Sequence, residues 1–303
     1  MTVYSIRDSK NVTSISKADA FSMQWLKIIQ PRHIAKIAPG NMSDFVPGDV
    51  AVIYLDNDKP YGLIKENYLT NVTKLFIVGS LHKSNIKYLN DASYIIYLNE
   101  IQRKIAEDIY GIKVPSYTCP RHPLTVFNTS FPSTNSMYIG GIFNKTKREG
   151  FYDKLLNIHE TTSKDIKYVI LPGGTGKPHD AFSDLFTKWI NASDLNGSRM
   201  VRLEFNVAFY DTMVIYMRSC NQSLLWKNEP TVEFIKNMVA LNDRNVLDYW
   251  IGESSMLALA QSMGHTLHID NNISYLPYFE NNTSTFNFND FTDILCDGIS
   301  LIS

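Results

Sequence analysis

Short apolar runs alternate with amphipathic or polar stretches along most of the chain. In the first half the apolar runs are TVYSI, HIAKIA, DVAVIYL, KLFIVG and SYIIYL, and an apolar-periodic stretch, FSMQWLKII, lies between the first two. Apolar runs of about four to eight residues with helical or irregular connectors are typical of buried parallel strands covered by helices. The pattern therefore predicts a parallel, helix-covered sheet in this half.

One helix of the first half is marked at both ends. In NEIQRKIAEDIYG the apolar residues Ile101, Ile105 and Ile109 recur at helical spacing. Asn99 is a good N-cap residue, and Gly111 is the kind of residue that ends a helix. The stretch predicts a helix between Asn99 and Gly111.

The alternation restarts after KVPSYTCPRHPLTVFNTSFPSTNS, a stretch rich in Pro, Ser, Thr and Asn whose polar end falls at about 128–136. This stretch is the predicted connection between domains. The strands predicted after it are SMYIGGIFN, KYVILPGG, RMVRLEF, DTMVIYMR and HTLHI. The predicted helices are REGFYDKLLNIHE, AFSDLFTKWI, EPTVEFIKNMVAL and GESSMLALAQSMG.

The chain has 303 residues, more than one core usually fills. Together with the two alternating halves, this length predicts an α/β protein of two Rossmann-like domains, residues 1–130 and 131–303, with a cleft between them. The C-terminal tail is free to return to the N-terminal domain. Such an architecture binds ligands at the carboxyl ends of its strands and in the crevice between domains.

Composition and charge exclude several classes of protein, among them disordered chains and globally basic nucleic-acid binders. With 44% hydrophobic and 19% charged residues the chain has material for packed cores, and it lacks the signature of disorder. A net charge of −1 excludes a globally basic nucleic-acid binder but leaves room for a local basic groove. Neither a signal peptide nor an apolar run of about 18 residues is present, so no membrane contact is expected. Three scattered cysteines indicate neither a disulfide framework nor a zinc site, and a cytoplasmic location fits best.

The first candidate ligand site is the segment YIGGIFNKTKREGF. A predicted strand runs into Gly140 and Gly141, and a basic loop with Lys147 and Arg148 precedes a helix. Paired glycines let the main chain approach a ligand, while cations and a helix N-terminus favour an anion such as a diphosphate. An ordinary strand, turn and helix with solvated charges explains the segment about equally well.

A second glycine-rich turn lies in PGGTGKPHD. It fails as a P-loop, because Leu171 stands where the first glycine is needed and Pro178 replaces the hydroxyl residue that holds magnesium. Gly173 and Gly174 still follow a predicted strand, where an α/β domain contacts a base, ribose or phosphate. A plain flexible loop is the alternative.

The third candidate is GESSMLALAQSMG, a helix of small and apolar residues that begins with polar ones. Glu253, Ser254 and Ser255 suit the start of a helix on structural grounds alone, through its dipole and its free N–H groups. On the functional interpretation the carboxylate accepts hydrogen bonds from a ribose diol, and the serines bind phosphate oxygens.

Histidines are the remaining candidates for chemistry. His82 follows the strand KLFIVGS and would face the cleft as a base or as a contact to an acceptor hydroxyl, although a solvated loop histidine is the alternative. Asp8 and Lys10 follow the first strand and belong to the same rim, which makes Asp8 the second catalytic candidate. His265 and His268 are expected to be structural. The sequence holds no His, Asp and Glu grouping with metal-ligand spacing, so no metal or other cofactor is expected.

In the order of its parts the chain resembles GT-B glycosyltransferases, and more narrowly the DNA α-glucosyltransferases of T-even phages. The similar segments are VTSISKADAFSMQWLKI, LFIVGSLHKSNI, ASYIIYLNEIQRKI, YIGGIFNKTKREGFYDKLLNIHE and GESSMLALAQSMGHTLHI. The resemblance implies transfer of glucose or arabinose from a UDP-sugar to 5-hydroxymethylcytosine in double-stranded DNA, by a monomer in the host cytoplasm. The chain differs from the family at position 141, where it has Gly141 and the family has arginine.

Carried over to these residues, the resemblance implies that Lys147 or Arg148 neutralises the diphosphate and that Glu253 holds the ribose. His82 would lie beside the transferred sugar and the acceptor hydroxyl. Cations and helix N-termini can stabilise the leaving diphosphate, so a metal is not required, although one is compatible with the site. The expected contacts to DNA phosphates are the basic residues of the rim: Lys10, Lys17, Lys83 and Lys87.

Two other functions compete with this interpretation. The same donor domain could serve a bacterial glycosyltransferase that acts on a surface glycan. A GT-B-like scaffold could also bind a nucleotide-sugar without catalysing its transfer.

Overall fold

The chain divides into two compact units, each assembled from separate parts of the sequence. The computed structural model describes residues 1–7, 26, 29–39, 45–55, 72–119, 135–139, 168–172, 199–203, 214, 216–227, 229–275 and 288–302. Unit 1 contains Met1–Thr125, Pro230–Ala258 and Asn271–Ser303, and unit 2 contains Val126–Glu229 and Leu259–Asp270. The predicted boundary at residue 130 stays a prediction.

Unit 1 is built on a parallel sheet that, in the described residues, has six strands in the order β2-β1-β3-β4-β6-β7. The strands are β1 (Val3–Arg7), β2 (Ala35–Pro39), β3 (Val50–Leu55), β4 (Thr73–Val78), β6 (Tyr94–Tyr97) and β7 (Ser116–Thr118). All six residues of β3 are buried, which agrees with the continuous apolar runs of sheets covered on both faces. The direction of strand order reverses between β1 and β3.

A short antiparallel pair joins two distant parts of unit 1. Strand β5 (Ser80–Leu81) follows β4 almost at once, and β12 (Ile251–Gly252) pairs with it. This pair brings residues 79–85 beside residues 250–254. We call these two stretches the His82 segment and the Glu253 segment.

The helix predicted between Asn99 and Gly111 is confirmed. Helix α1 (Glu100–Lys104) continues as a π-helical turn (Ile105–Ile109). The side chain of Asn99 accepts a hydrogen bond from the Gln102 N–H, and Gly111 has a φ of 69°. Both termini therefore use the chemistry that the sequence indicated.

Three further helices have both ends in the described residues: α2 (Val232–Ala240), α3 (Ser255–Ser262) and α4 (Phe288–Ile302). Short 3-10 turns occupy Ile86–Asp91, Arg244–Asp248 and Ile273–Tyr275. The sequence pattern did not predict α4. It packs on the sheet of unit 1, where an added Cβ at Gly298 would lie 2.9 Å from Leu75 and 3.4 Å from Tyr94.

Unit 2 contains a second parallel sheet, with five strands in the described residues and the order β10-β9-β8-β11-β13. The strands are β8 (Ser136–Ile139), β9 (Tyr168–Pro172), β10 (Arg199–Leu203), β11 (Gln222–Leu225) and β13 (Thr266–Ile269). Strand order reverses between β8 and β11, as in a Rossmann fold.

The strand predicted over DTMVIYMR is wrong at the positions that the structure describes. Val214 and residues 216–218 are helical. Val214 and Met217 are buried and Arg218 is exposed, which is the three-residue spacing of one helix face. The β-branched and aromatic residues of the stretch suit a strand, but packing of this face has overridden that preference.

Candidate functional site

The His82 and Glu253 segments meet through two glycines that allow close contact of the main chains. A Cβ on Gly252 would lie 2.7 Å from the Ser80 Cβ and 2.9 Å from the Gly79 carbonyl oxygen. A Cβ on Gly79 would lie 2.1 Å from the ring of Tyr54. Neither position has room for a side chain, so both glycines are required by packing rather than by φ.

Glu253 and Ser254 are fixed between this strand pair and helix α3. The Glu253 N–H donates to the Gly79 carbonyl at 3.4 Å, and the Ser254 N–H donates to the Ser274 carbonyl at 2.9 Å. The Ser254 carbonyl then accepts the first helical bonds, from Leu257 and Ala258. Both side chains are buried, Glu253 at 5% exposure and Ser254 at 4%. The carboxylate is therefore held immediately before the start of a helix, where the helix dipole favours negative charge.

The middle of helix α3 is buried, and the helix ends in a Schellman motif. Leu257, Ala258, Leu259 and Ala260 are each at most 1% exposed. The His265 N–H donates to the Ala260 carbonyl and the Gly264 N–H to the Gln261 carbonyl, while Gly264 has a φ of 70°. Two of the small residues of the helix, Ala258 and Ala260, are thus buried inside the protein.

The main chain of the His82 segment is held by Asn85. The Asn85 side chain donates to the Ser80 carbonyl at 2.8 Å and accepts from the His82 N–H at 3.1 Å. Asn85 is fully buried. Its two bonds close the turn that carries His82 away from β5.

The imidazole of His82 is held by two neighbours. It stacks on the indole of Trp250, with ring centroids 4.3 Å apart and 21° between the planes. At the edge of the ring, Nδ1 lies 2.8 Å from the Ser84 hydroxyl and 3.4 Å from the Ser84 main-chain nitrogen. His82 is half-buried, so part of the ring is accessible.

Gln102 anchors the Glu253 segment to helix α1. Its side-chain oxygen accepts from the Leu98 N–H at 2.9 Å, and its side-chain nitrogen donates to the Ile251 carbonyl at 3.0 Å. Gln102 is fully buried. The amide thus satisfies two main-chain groups that the end of β6 and the strand β12 would otherwise leave unpaired.

Two of the four lysines predicted to contact DNA are described, and both lie on the surface beside His82. Lys83 forms an ion pair with Asp248, and this contact raises the pKa of the Lys83 ammonium. Lys87 lies over the ring of Tyr88, 4.9 Å from its centroid. Both lysines are exposed.

In unit 2 the strand order reverses between β8 and β11, so the carboxyl ends of these two strands are where a ligand is expected. Ligands of open α/β sheets bind in the crevice where strand order reverses, outside the carboxyl ends of the strands. Strand β8 ends at Ile139, and Gly140 and Gly141 follow it directly in the sequence. The position predicted for diphosphate binding therefore follows a strand at this reversal.

Most of the other predicted site residues lie outside the described residues. They are Asp8, Lys10, Lys17, Gly140, Gly141, Lys147, Arg148, Gly173 and Gly174. For Ser255 the backbone alone is described, as the first residue of α3. The roles assigned to all of these residues stay predictions.

The sequence pattern does not indicate four residues of these segments and their surroundings: Trp250, Asn85, Gln102 and Asp248. Each acts through a partner distant in sequence or through a loop conformation, and only the position of Trp250, three residues before Glu253, gave a local signal. His265 is buried in unit 2, with its Nδ1 2.7 Å from the Ser223 hydroxyl. In the part of the chain that the structure describes, no three His, Cys, Asp or Glu side chains group as metal ligands. No described helix is long and apolar enough to cross a membrane.

At the level of sequence, neither a family model nor a curated protein matches the chain. Solved structures do share its fold. A glycosyltransferase from Rickettsia africae superposes with a TM-score of 0.58 at 10% identity, covering 100% of this chain and 89% of that one. A trehalose-6-phosphate synthase superposes with a TM-score of 0.53 at 9% identity, covering 99% of this chain and 90% of that one.

The chain has the GT-B fold. This confirms the predicted fold class, an α/β protein with two Rossmann-like domains. A mutant of S. aureus TarM, solved with Fondaparinux, alpha-GlcNAc-glycerol and UDP, is also similar, with a TM-score of 0.50 at 12% identity. The match covers 83% of this chain but 48% of TarM, so the chain spans about half the length of that protein.

Proposed function

We propose that this GT-B protein is a glycosyltransferase that takes a sugar from a UDP-sugar. The observation that carries the proposal is the meeting of the His82 and Glu253 segments at the carboxyl edge of the unit 1 sheet. It places a half-buried imidazole and a buried carboxylate that precedes a helix on the same strand pair, the first beside Trp250 and the second beside Gly79. Two groups 171 positions apart in sequence are thereby held on one pair of strands.

In the donor half of the reaction, Glu253 accepts hydrogen bonds from the ribose diol, and Lys147 and Arg148 neutralise the diphosphate. Gly140 and Gly141 let the main chain approach the phosphates, which agrees with their place after β8 at the reversal of strand order. Stabilising the charge of the leaving UDP is the main demand on such a site, and fixed cations and main-chain N–H groups meet it.

For the acceptor we propose the hydroxymethyl group of 5-hydroxymethylcytosine in double-stranded DNA. The support is the resemblance of five segments, in order, to the phage DNA α-glucosyltransferases. The acceptor hydroxyl lies on a stacked base, so transfer requires the nucleotide to leave the helix or the duplex to distort. Lys10, Lys17, Lys83 and Lys87 would bind phosphates, and DNA affinity should then fall as salt rises.

A surface glycan is the second candidate acceptor. The specific observation in its favour is the structural similarity to the TarM mutant that was solved with Fondaparinux, alpha-GlcNAc-glycerol and UDP. The proposed contacts to the UDP-sugar would be unchanged. The lysines proposed to bind DNA phosphates would then have no role in binding DNA.

The deciding experiment measures transfer of radiolabelled sugar from a panel of UDP-sugars, including UDP-glucose and UDP-arabinose. The acceptors are DNA with 5-hydroxymethylcytosine, the same DNA with cytosine, and a glycerol-based glycan. Label on the modified DNA alone supports the proposal and identifies the sugar. Label on the glycan alone, or hydrolysis of one donor without label on DNA, refutes the DNA acceptor. Donor binding without hydrolysis or transfer to any acceptor would refute the enzyme and leave a nucleotide-sugar-binding protein.

Matched variants test the two residues that carry the proposal. Glu253→Gln keeps the size of the side chain but removes charge-assisted hydrogen bonds, so donor affinity should fall about tenfold or more in a calorimetric titration. His82→Gln should lower kcat more than it changes donor affinity. Glu233→Gln, an exposed carboxylate on α2, and His33→Gln, at the opposite end of the sheet, are the controls and should leave both quantities unchanged. Unchanged donor affinity in Glu253→Gln would remove Glu253 from the site.

A further inference from the structure

The hydrogen bonds around His82 determine which of its ring nitrogens carries the proton. The main-chain N–H of Ser84 donates to Nδ1 at 3.4 Å. A main-chain N–H can only donate, so Nδ1 must be the acceptor, and the Ser84 hydroxyl at 2.8 Å donates to the same atom. A neutral imidazole with an accepting Nδ1 carries its proton on Nε2.

The ring plane and the main chain of His82 are fixed as well. The stack on Trp250, at 4.3 Å and 21°, sets the plane of the imidazole. The His82 carbonyl accepts from the N–H groups of Asn85 and Ile86, and the His82 N–H donates to the Asn85 side chain. The direction of the Nε2–H bond is therefore determined before any substrate binds.

We propose that Ser84 and Trp250 are positioning residues that hold His82 as the Nε2–H tautomer, so that the imidazole acts as a hydrogen-bond donor to a substrate oxygen and not as a general base. The contact to substrate rests on the proposed function, whereas the tautomer rests on the geometry of the described residues alone. A base must accept a proton at the nitrogen that meets the substrate, and in this tautomer Nε2 already carries one.

A donor in this position favours substrate oxygens that accept hydrogen bonds. Sugar hydroxyls and the phosphate oxygens of a UDP-sugar both belong to this class. No proton changes place in the proposed interaction. It strengthens as negative charge develops on the oxygen, because a hydrogen bond to an ionised acceptor is stronger than one to a neutral acceptor.

The first test is the tautomer itself, measured on the full chain without any substrate. The protein is labelled with 15N-histidine, and long-range proton–nitrogen correlation spectra are recorded at about pH 8, where an ordinary imidazole is neutral. The His82 signals are assigned by their loss in His82→Gln. A pattern with protonated Nε2 and unprotonated Nδ1 is expected. The opposite pattern overturns the proposal whether or not the protein transfers sugar.

Ser84→Ala removes the hydroxyl donor and keeps the main-chain donor. The population of the Nε2–H tautomer should fall relative to the wild-type chain, because one of the two bonds that select it is gone. An unchanged population would remove the Ser84 side chain from the proposal.

Trp250 is tested by kinetics with a conservative rescue. Trp250→Leu should lower kcat by about tenfold or more with a change in KM of less than about twofold, because the ring would lose its orientation. Trp250→Phe keeps an aromatic face and should recover most of the loss. Equal kcat in the Leu variant and the wild type would refute the positioning role. If the wild-type chain itself transfers no sugar, the proposed function fails while the spectra still decide the tautomer.

Discussion

The buried imidazole of His265 links the stability of unit 2 to pH. Burial lowers its pKa from 6.5 to about 4, although the main-chain groups of Met217 and Cys220 act in the opposite direction. The side chain is 7% exposed, so solvent screens this effect little. Between these two pKa values the unfolded chain binds a proton at His265 that the folded chain does not bind.

The sign and size of the effect follow from this difference. The contribution of neutral His265 to stability is fully present above the unfolded pKa of 6.5 and is lost as pH falls toward the folded value of about 4. A difference of this size corresponds to about 3 kcal/mol in total. Most of it falls within an accessible range: lowering the pH from about 7 to about 5 should cost about 2 kcal/mol.

The assay is urea unfolding of the whole chain at several pH values in that range, with pulsed hydrogen exchange reporting residues 221–227 and 264–270 of unit 2. His265→Gln cannot titrate, so its free energy of unfolding should depend less on pH than that of the wild type. The difference between the two chains should shrink by about 2 kcal/mol from about pH 7 to about pH 5. Parallel pH dependences in the two chains would show that the argument from burial is wrong.

Two further predictions concern the contacts that join the His82 and Glu253 segments. Gly252→Ala places a Cβ 2.7 Å from that of Ser80, so it should destabilise unit 1 by about 1–3 kcal/mol in thermal unfolding, and no change would mean that the strand pair separates freely. Gln102→Leu leaves two buried main-chain groups unpaired and should cost about 2–6 kcal/mol in urea unfolding. Lys104→Leu, an exposed change on the same helix, should stay within about 0.5 kcal/mol, and equal losses in the two variants would rule out the hydrogen bonds as the cause.

The strands of unit 1 could be predicted because both faces of its sheet are covered. Runs such as VAVIYL in β3 must then be apolar at every position, and such runs stand out from polar connectors. Helix α1 could be predicted at both ends because its cap and its stop are local chemistry. Helix α4 was not predicted, because its sequence directly follows a polar stretch. Its packing on the sheet, where Gly298 lies close to Leu75 and Tyr94, is visible only in the structure.

The candidate site was predictable one residue at a time but not as an arrangement. His82 and Glu253 each follow local signals, a strand end and a helix start. Their placement on one strand pair depends on the pairing of β5 with β12, two strands of two residues each that no periodicity can reveal. Trp250 contacts His82 only because of that strand pair, and Asn85 holds the turn that carries His82.

The strand order of unit 2 helps to distinguish a phosphate site from an ordinary turn at Gly140 and Gly141, which the glycines alone do not. Gly-Gly after a strand is common, and by sequence alone an ordinary turn explained it about as well as a phosphate site. The order β10-β9-β8-β11-β13 makes β8 one of the two strands between which the order reverses, and crossover connections leave a crevice at that point. Among the described strands of unit 2, β8 and β11 alone flank it, and β8 is the one followed in the sequence by two glycines and by Lys147 and Arg148. The topology therefore favours the ligand interpretation of Gly140 and Gly141 for a reason independent of the residues themselves.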